Sequence, residues 1–105
     1  MRIGHSAVIE FNSKSDAKEE IKKFASARST FFPKAEFVVD METGPTSCLT
    51  FLIYSSRDEL EAETELHSEY MESVRPHVRE IFGYSGSLKY LSNQLPVLDD
   101  MTSGE

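Results

Sequence analysis

The segment Cys48–Tyr54, CLTFLIY, constrains this chain more than any other. Leu49, Phe51 and Ile53 alternate with Cys48, Leu52 and Tyr54, so both faces of an extended segment are apolar. Alternating side chains point to opposite faces of a sheet, so such a strand needs cover on both sides. That predicts a central strand. Gly4–Phe11 has the same character, with Ala7, Val8, Ile9 and Phe11 in one run, and reads as a second central strand.

The other elements follow from spacing. Asn12-Ser13-Lys14-Ser15 offers two N-cap hydroxyls, and from Asp16 the residues Ala17, Ile21, Phe24 and Ala25 make one helical face. This helix is expected to end near Ser29, before Phe31-Phe32-Pro33, because proline removes a donor and disfavours a helical predecessor. Phe37, Val39 and Met41 alternate with acids, which predicts a half-exposed edge strand, and Gly44–Ser47 is a turn of hairpin length. Ser56-Arg57-Asp58-Glu59 has the form of a capping box. The helix after it is expected to carry Leu60, Thr64, His67, Met71, Val74, Val78, Ile81 and Phe82 on one stripe, kinked or broken at Pro76. A last strand is expected around Leu88, Tyr90 and Leu91, flanked upstream by Gly83 and Gly86.

The order is strand, helix, strand, strand, helix, strand. A ferredoxin-like βαββαβ domain puts the first and third strands in the centre of a four-stranded antiparallel sheet. Right-handed crossovers then place both helices on one face. The other face stays bare although its central strands are apolar there, so a second copy of the chain is expected to cover it. One domain over residues 1–92 and a tail over 93–105 is the expected division, and the tail motif Leu95-Pro96-Val97-Leu98 is expected to cross to the partner or add an edge strand.

Composition narrows the function. The formal net charge is −7, which argues against a nucleic-acid partner, since phosphate binding needs clustered cations. One cysteine, Cys48, excludes a disulfide scaffold and a cysteine-based zinc site. His5, His67 and His77 form no metal-ligand spacing, so no metal is expected, and no phosphate loop or cofactor motif is present. No apolar run approaches the roughly 18 residues that span a bilayer, and MRIGHSAVIEF lacks the apolar stretch of a signal peptide. A cytoplasmic address is the expectation. Residues 57–80 hold eight acidic and three basic side chains, which reads as a solvated helix face or a docking surface for a basic partner.

His67 falls near the centre of the second helix's apolar stripe and should face the sheet. A neutral imidazole there exchanges a proton with a ligand or hydrogen-bonds a phenol; the alternative is a core histidine bonded to a carbonyl or a tyrosine. Tyr70, three residues on, can reach the same space. Tyr54, Tyr84 and His5 come from strands or their ends, and would line a pocket suited to a flat, partly polar, small aromatic ligand; the alternative is tyrosines that fill the core with their hydroxyls at its rim. Arg28 either grips an anionic or carbonyl group at a pocket mouth or lays its stem along the helix end.

The element order, the length and the segment Leu60-Glu61-Ala62 through His67 resemble the dimeric α+β barrel proteins, in particular the antibiotic-biosynthesis monooxygenase-like group. The resemblance covers about residues 3 to 92. It implies a dimeric α+β barrel and a cofactor-free monooxygenase-like activity on a small molecule, with His67 as acid/base and Tyr70 and Tyr84 orienting the substrate. The chain has no Trp and no Glu-Pro-Gly turn after its first helix, both common in that group. A non-catalytic ligand-binding module and a structural or regulatory dimer are the rival readings.

Overall fold

The computed structural model describes residues 1–92. The tail motif Leu95–Leu98 and the acids Asp99 and Asp100 lie outside the described residues. Four strands and three helices follow the order β1 (Ile3–Phe11), α1 (Lys14–Phe31), β2 (Phe37–Gly44), β3 (Ser47–Tyr54), α2 (Arg57–Ala62), α3 (Thr64–Val74) and β4 (Val78–Ser87). The sheet order is β2-β3-β1-β4 and every pair is antiparallel, so the two strands that are apolar on both faces occupy the centre. This is the ferredoxin-like arrangement.

Local chemistry sets the element ends. Ser13 caps α1, its Oγ accepting from the Asp16 amide at 3.1 Å, and Ser56 caps α2 by accepting from the Glu59 amide at 3.2 Å. The Glu59 carboxylate pairs with Lys34 Nζ at 3.4 Å. The helices bury Ala17 and Phe24 of α1 and Val74 of α3 against the inward row of the sheet, which includes Ile9, Cys48, Leu52 and Tyr54. Two core clusters result. Phe24, Phe32, Ala35, Leu52 and Tyr54 form one, and Ile9, Phe11, Ala17 and Cys48 the other.

The sequence expectations need two corrections in the second half. The second helical segment is not one stripe reaching Phe82. It breaks at Glu63, which separates α2 from α3, and it ends at Val74. Arg75–His77 form a single 3-10 turn around Pro76, whose missing amide and ring end the ladder. Val78, Ile81 and Phe82 therefore belong to a strand. The last strand is Val78–Ser87, and residues 88–92 are irregular, so the strand expected around Leu88, Tyr90 and Leu91 is displaced by about a strand's length. Val78, Ile81 and Gly83 pair with Phe11, Ile9 and Ala7 of β1, an apolar match that a helix across Pro76 could not make.

Much of the outer face of the sheet is uncovered. Met41, Leu49, Val8 and Phe82 stand in one row across the four strands, and Val39, Phe51, Ser6 and Tyr84 in the next. Val8, Met41, Phe82 and Tyr84 are all exposed. The apolar alternation of β2 thus points to this open side, while Val38 and Asp40 face the helices. Gly4 belongs to the same outer face. A Cβ there would lie 3.1 Å from the Phe51 ring and 3.3 Å from Leu88 Cδ2, so only a hydrogen leaves room for those side chains.

Candidate functional site

Between the two core clusters the layers part around a cavity of about 240 Å³. The sheet supplies His5, Ala7, Thr50 and Leu52, and the helical layer supplies Phe32, His67, Tyr70 and Met71. His67 and Met71 are four residues apart on α3, and Tyr70 lies between them, so one helix face provides most of the upper wall. His5 pairs with Leu52 on one side and Ser85 on the other, which brings its ring under α3. The His5 and His67 ring centroids are 6.2 Å apart.

The His67 ring is held from two directions. Phe32 meets it edge-on, with centroids 5.1 Å apart. Behind it, Nε2 lies 2.9 Å from the Tyr54 hydroxyl, which donates to Glu63 Oε1 at 2.6 Å. Glu63 Oε2 accepts the Lys34 amide at 2.8 Å. Tyr54 and Glu63 are 0% and 2% exposed, so the hydroxyl–carboxylate pair in the middle of this chain is sealed from water. A carboxylate is rarely buried unless its oxygens are satisfied, and here both are. The break between α2 and α3 falls on the residue whose side chain turns inward.

The electrostatics keep the two cavity histidines neutral. Burial lowers the His67 pKa below its usual 6.5, the neighbouring His5 adds to the shift, and the Glu63 charge opposes it without prevailing. Burial likewise lowers the pKa of His5. The phenols move the other way. Burial and then Glu63 raise the pKa of Tyr54, and burial raises that of Tyr70, helped by Asp40. Both stay protonated at ordinary pH. Tyr70 packs against Phe32, Phe31 and Phe24, with Phe32 5.2 Å away between centroids. Its hydroxyl has no hydrogen-bond partner among the described residues, in which every sealed side-chain nitrogen or oxygen does have one. It is thus open to a ligand or water.

Of the six residues singled out from sequence, His67, Tyr70 and His5 line the cavity together. Tyr54 stands behind His67, touching the imidazole and not the cavity. Arg28 is elsewhere, its Nη2 donating to the Ala35 carbonyl at 3.1 Å and tying the end of α1 to the loop before β2. Tyr84 sits on the opposite face of the sheet, 68% exposed. Sequence reasoning did not single out Glu63, Thr50 or Met71. Glu63 had a signal: an acid four residues before His67 falls on the same inward stripe. Cys48 is buried and its thiol is pushed up to about 12, by burial first and then by Asp40, so it is no nucleophile at neutral pH.

Among the described residues no group of three or more His, Cys, Asp or Glu side chains is placed to hold a metal ion. No helix among them is long and apolar enough to cross a membrane.

No protein-family model matches the chain, and no curated protein matches it in sequence. Solved structures do match in shape. An antibiotic biosynthesis monooxygenase candidate from Chloroflexus aurantiacus superposes with a TM-score of 0.72 at 10% identity, over 89% of this chain and 98% of its own. A dimeric ferredoxin-like protein from an uncultured marine organism gives 0.71 at 12% identity, over 90% and 100%. SnoaB, a cofactor-independent oxygenase from Streptomyces nogalater studied as a mutant, gives 0.66 at 6% identity, over 89% and 98%. The chain has the fold shared by the antibiotic biosynthesis monooxygenase-like and dimeric ferredoxin-like proteins.

Proposed function

We propose that this protein is a small-molecule enzyme of the cofactor-free monooxygenase type, with the cavity as its binding site and His67 as its acid/base. The observation that carries the reading is an imidazole that is part of a mostly apolar cavity wall and is tethered from behind to a buried carboxylate through a tyrosine. A cavity of about 150 Å³ holds benzene. The larger volume here suits a ligand of one to two rings. Tyr70, with its free hydroxyl, orients that ligand, and His5 offers a second neutral imidazole beside it. In such chemistry an electron-rich hydroxyarene loses its proton to the base and reduces oxygen itself. One oxygen atom enters the ring, the other leaves as water, and the substrate supplies all four electrons. The cofactor-independent oxygenase among the structural matches supports this choice of reaction.

The mostly apolar walls favour one rival, ligand binding without turnover. Oxygen uptake with 1,4-dihydroxynaphthalene, corrected for the uncatalysed rate, separates the two. Uptake that His67→Phe reduces by about 10²-fold or more supports an acid/base role. Uptake no faster than the uncatalysed rate leaves the binding reading, and catalysed uptake that is unchanged in the variant removes His67 from the chemistry.

The protein is further proposed to work as a homodimer joined through the open sheet face. Val8, Met41 and Phe82 are exposed there, and two of the structural matches are described as dimeric. Native mass spectrometry over a dilution series should give twice 11.9 kDa. A monomer at every concentration would remove the barrel.

A further inference from the structure

The chain of hydrogen bonds behind His67 has a direction. The Lys34 amide can only donate, so Glu63 Oε2 is an acceptor. Glu63 Oε1 lies 2.6 Å from the Tyr54 oxygen, the separation of a hydroxyl donating to a carboxylate. Tyr54 has one proton, and it is spent on Glu63. Its oxygen therefore has only lone pairs to offer His67, and the 2.9 Å contact requires a proton on Nε2. A neutral imidazole with Nε2–H has a bare lone pair on Nδ1. That nitrogen has no partner among the described residues, and none of their sealed side-chain nitrogens is unpartnered, so Nδ1 is accessible.

We propose that Glu63 and Tyr54 are positioning residues that lock His67 as its Nε2–H tautomer, so that the site selects ligands presenting an acidic O–H and discriminates against ligands presenting only an acceptor. The ligand half of this rests on the cavity being a binding site; the tautomer half does not. The polarity also fixes where charge goes. A proton leaving a hydroxyarene moves to Nδ1, and the imidazolium that forms keeps its Nε2–H on Tyr54, whose own proton remains directed at Glu63. His5 has no hydrogen-bond partner among the described residues, so no such lock acts on it. A relay of this kind fixes orientation and tautomer as second partners do for other working histidines.

The test is the two-bond proton–nitrogen correlation spectrum of the uniformly 15N-labelled, unliganded protein, recorded near pH 8, where His67 is neutral. Protonated Nε2 and bare Nδ1 for His67 are expected. The opposite tautomer, or an even mixture, overturns the proposal whatever the enzyme turns over. Tyr54→Phe removes the acceptor and should convert the single tautomer to a mixture, and an unchanged spectrum would show that the lock lies elsewhere. If that variant does not fold, the wild-type spectrum still decides.

The ligand half is read by calorimetry with 1-naphthol and 1-methoxynaphthalene, which differ in the donor. The naphthol should bind about tenfold tighter, the value of one hydrogen bond to an otherwise unpaired group. Equal affinities, or no binding of either, would overturn the selectivity. Absence of oxygen uptake alongside the expected tautomer and selectivity would overturn the monooxygenase reading and leave this one standing.

Discussion

Two histidines, each linked to a carboxylate, come out with opposite character. His67, on α3, touches a tyrosine backed by a carboxylate. His77, in the turn before β4, touches carboxylates directly: Nδ1 is 2.6 Å from Asp16 Oδ1, and Nε2 is 3.7 Å from Glu20 Oε2. The pKa of His77 is raised, mainly by its hydrogen bond to Asp16, and that of Asp16 is lowered by the same bond. The pKa of His67 is lowered, because burial and the neighbouring imidazole outweigh the carboxylate beyond Tyr54. Burial decides the difference, and the interposed hydroxyl keeps the carboxylate one group away from the ring. That hydroxyl satisfies Glu63 without donating a charge to the pair, and it leaves His67 neutral. The raised pKa of His77 favours its cation beside Asp16, in the turn before β4, and the lowered pKa of His67 favours the neutral ring beside the cavity.

The largest expected effect breaks the buried member of this comparison. Glu63→Ala leaves the Lys34 amide and the Tyr54 hydroxyl without the acceptor to which both donate. Each unsatisfied buried group costs about 1–3 kcal/mol, and the loss is expected at about 2–4 kcal/mol after relaxation, measured by urea unfolding. A loss below about 1 kcal/mol would mean that water reaches the site. Tyr54→Phe removes the middle of the chain while keeping its ring, and about 1–2 kcal/mol is expected by the same measurement.

These two variants also mark where the sequence was legible. The central place of β1 and β3 in the sheet was readable from alternation alone, because a strand's period of two puts every residue on a known side. The position of His67 was readable for the same reason, from a period of 3.6. The Glu63 contact was legible only as a position four residues before His67, since an acid in a segment with eight carboxylates looks solvated until the helix breaks and turns it inward. The placement of β4 failed at Pro76. Val78, Ile81 and Phe82 fit a helical stripe continuing from Val74, and only their pairing with Phe11, Ile9 and Val8 reveals the strand. Tyr84 followed that error to the other face, because a residue's side depends on which element it belongs to. Arg28 was placed on the correct helix face but its partner, the Ala35 carbonyl, comes from a loop whose path no periodicity encodes.

The third prediction sharpens the comparison spectroscopically. In a proton NMR titration of the ring Cε1–H signals, His67 and His5 are expected to titrate below 6.5 and His77 above it. The groups that face His67 are His5, Glu63, Tyr54 and Tyr70, and burial raises both phenols away from that range. The stability consequences have opposite signs. For His67 the unfolded chain binds the proton more tightly, so stability is present above 6.5 and is lost as pH falls toward its lowered folded value. For His77 the folded chain binds it more tightly, so its contribution is complete below 6.5 and is lost as pH rises through its raised folded value. Like-signed shifts for His67 and His77 would erase the distinction between tether and ion pair.

The smallest effect belongs to the half-buried pair nearer the surface. His77→Gln keeps a donor near Asp16 but removes the cation, and surface ion pairs contribute little because water and salt screen them. The melting temperature at pH 6 is expected to fall by only a few degrees, and the difference from wild type should shrink as salt is raised from low to physiological concentration. As pH rises through the raised pKa of His77 and its proton is lost, the variant and the wild type should converge further. A loss as large as that of Glu63→Ala, or one that salt does not touch, would make His77 a second buried anchor and would assign the contrast between the histidines to packing instead of charge.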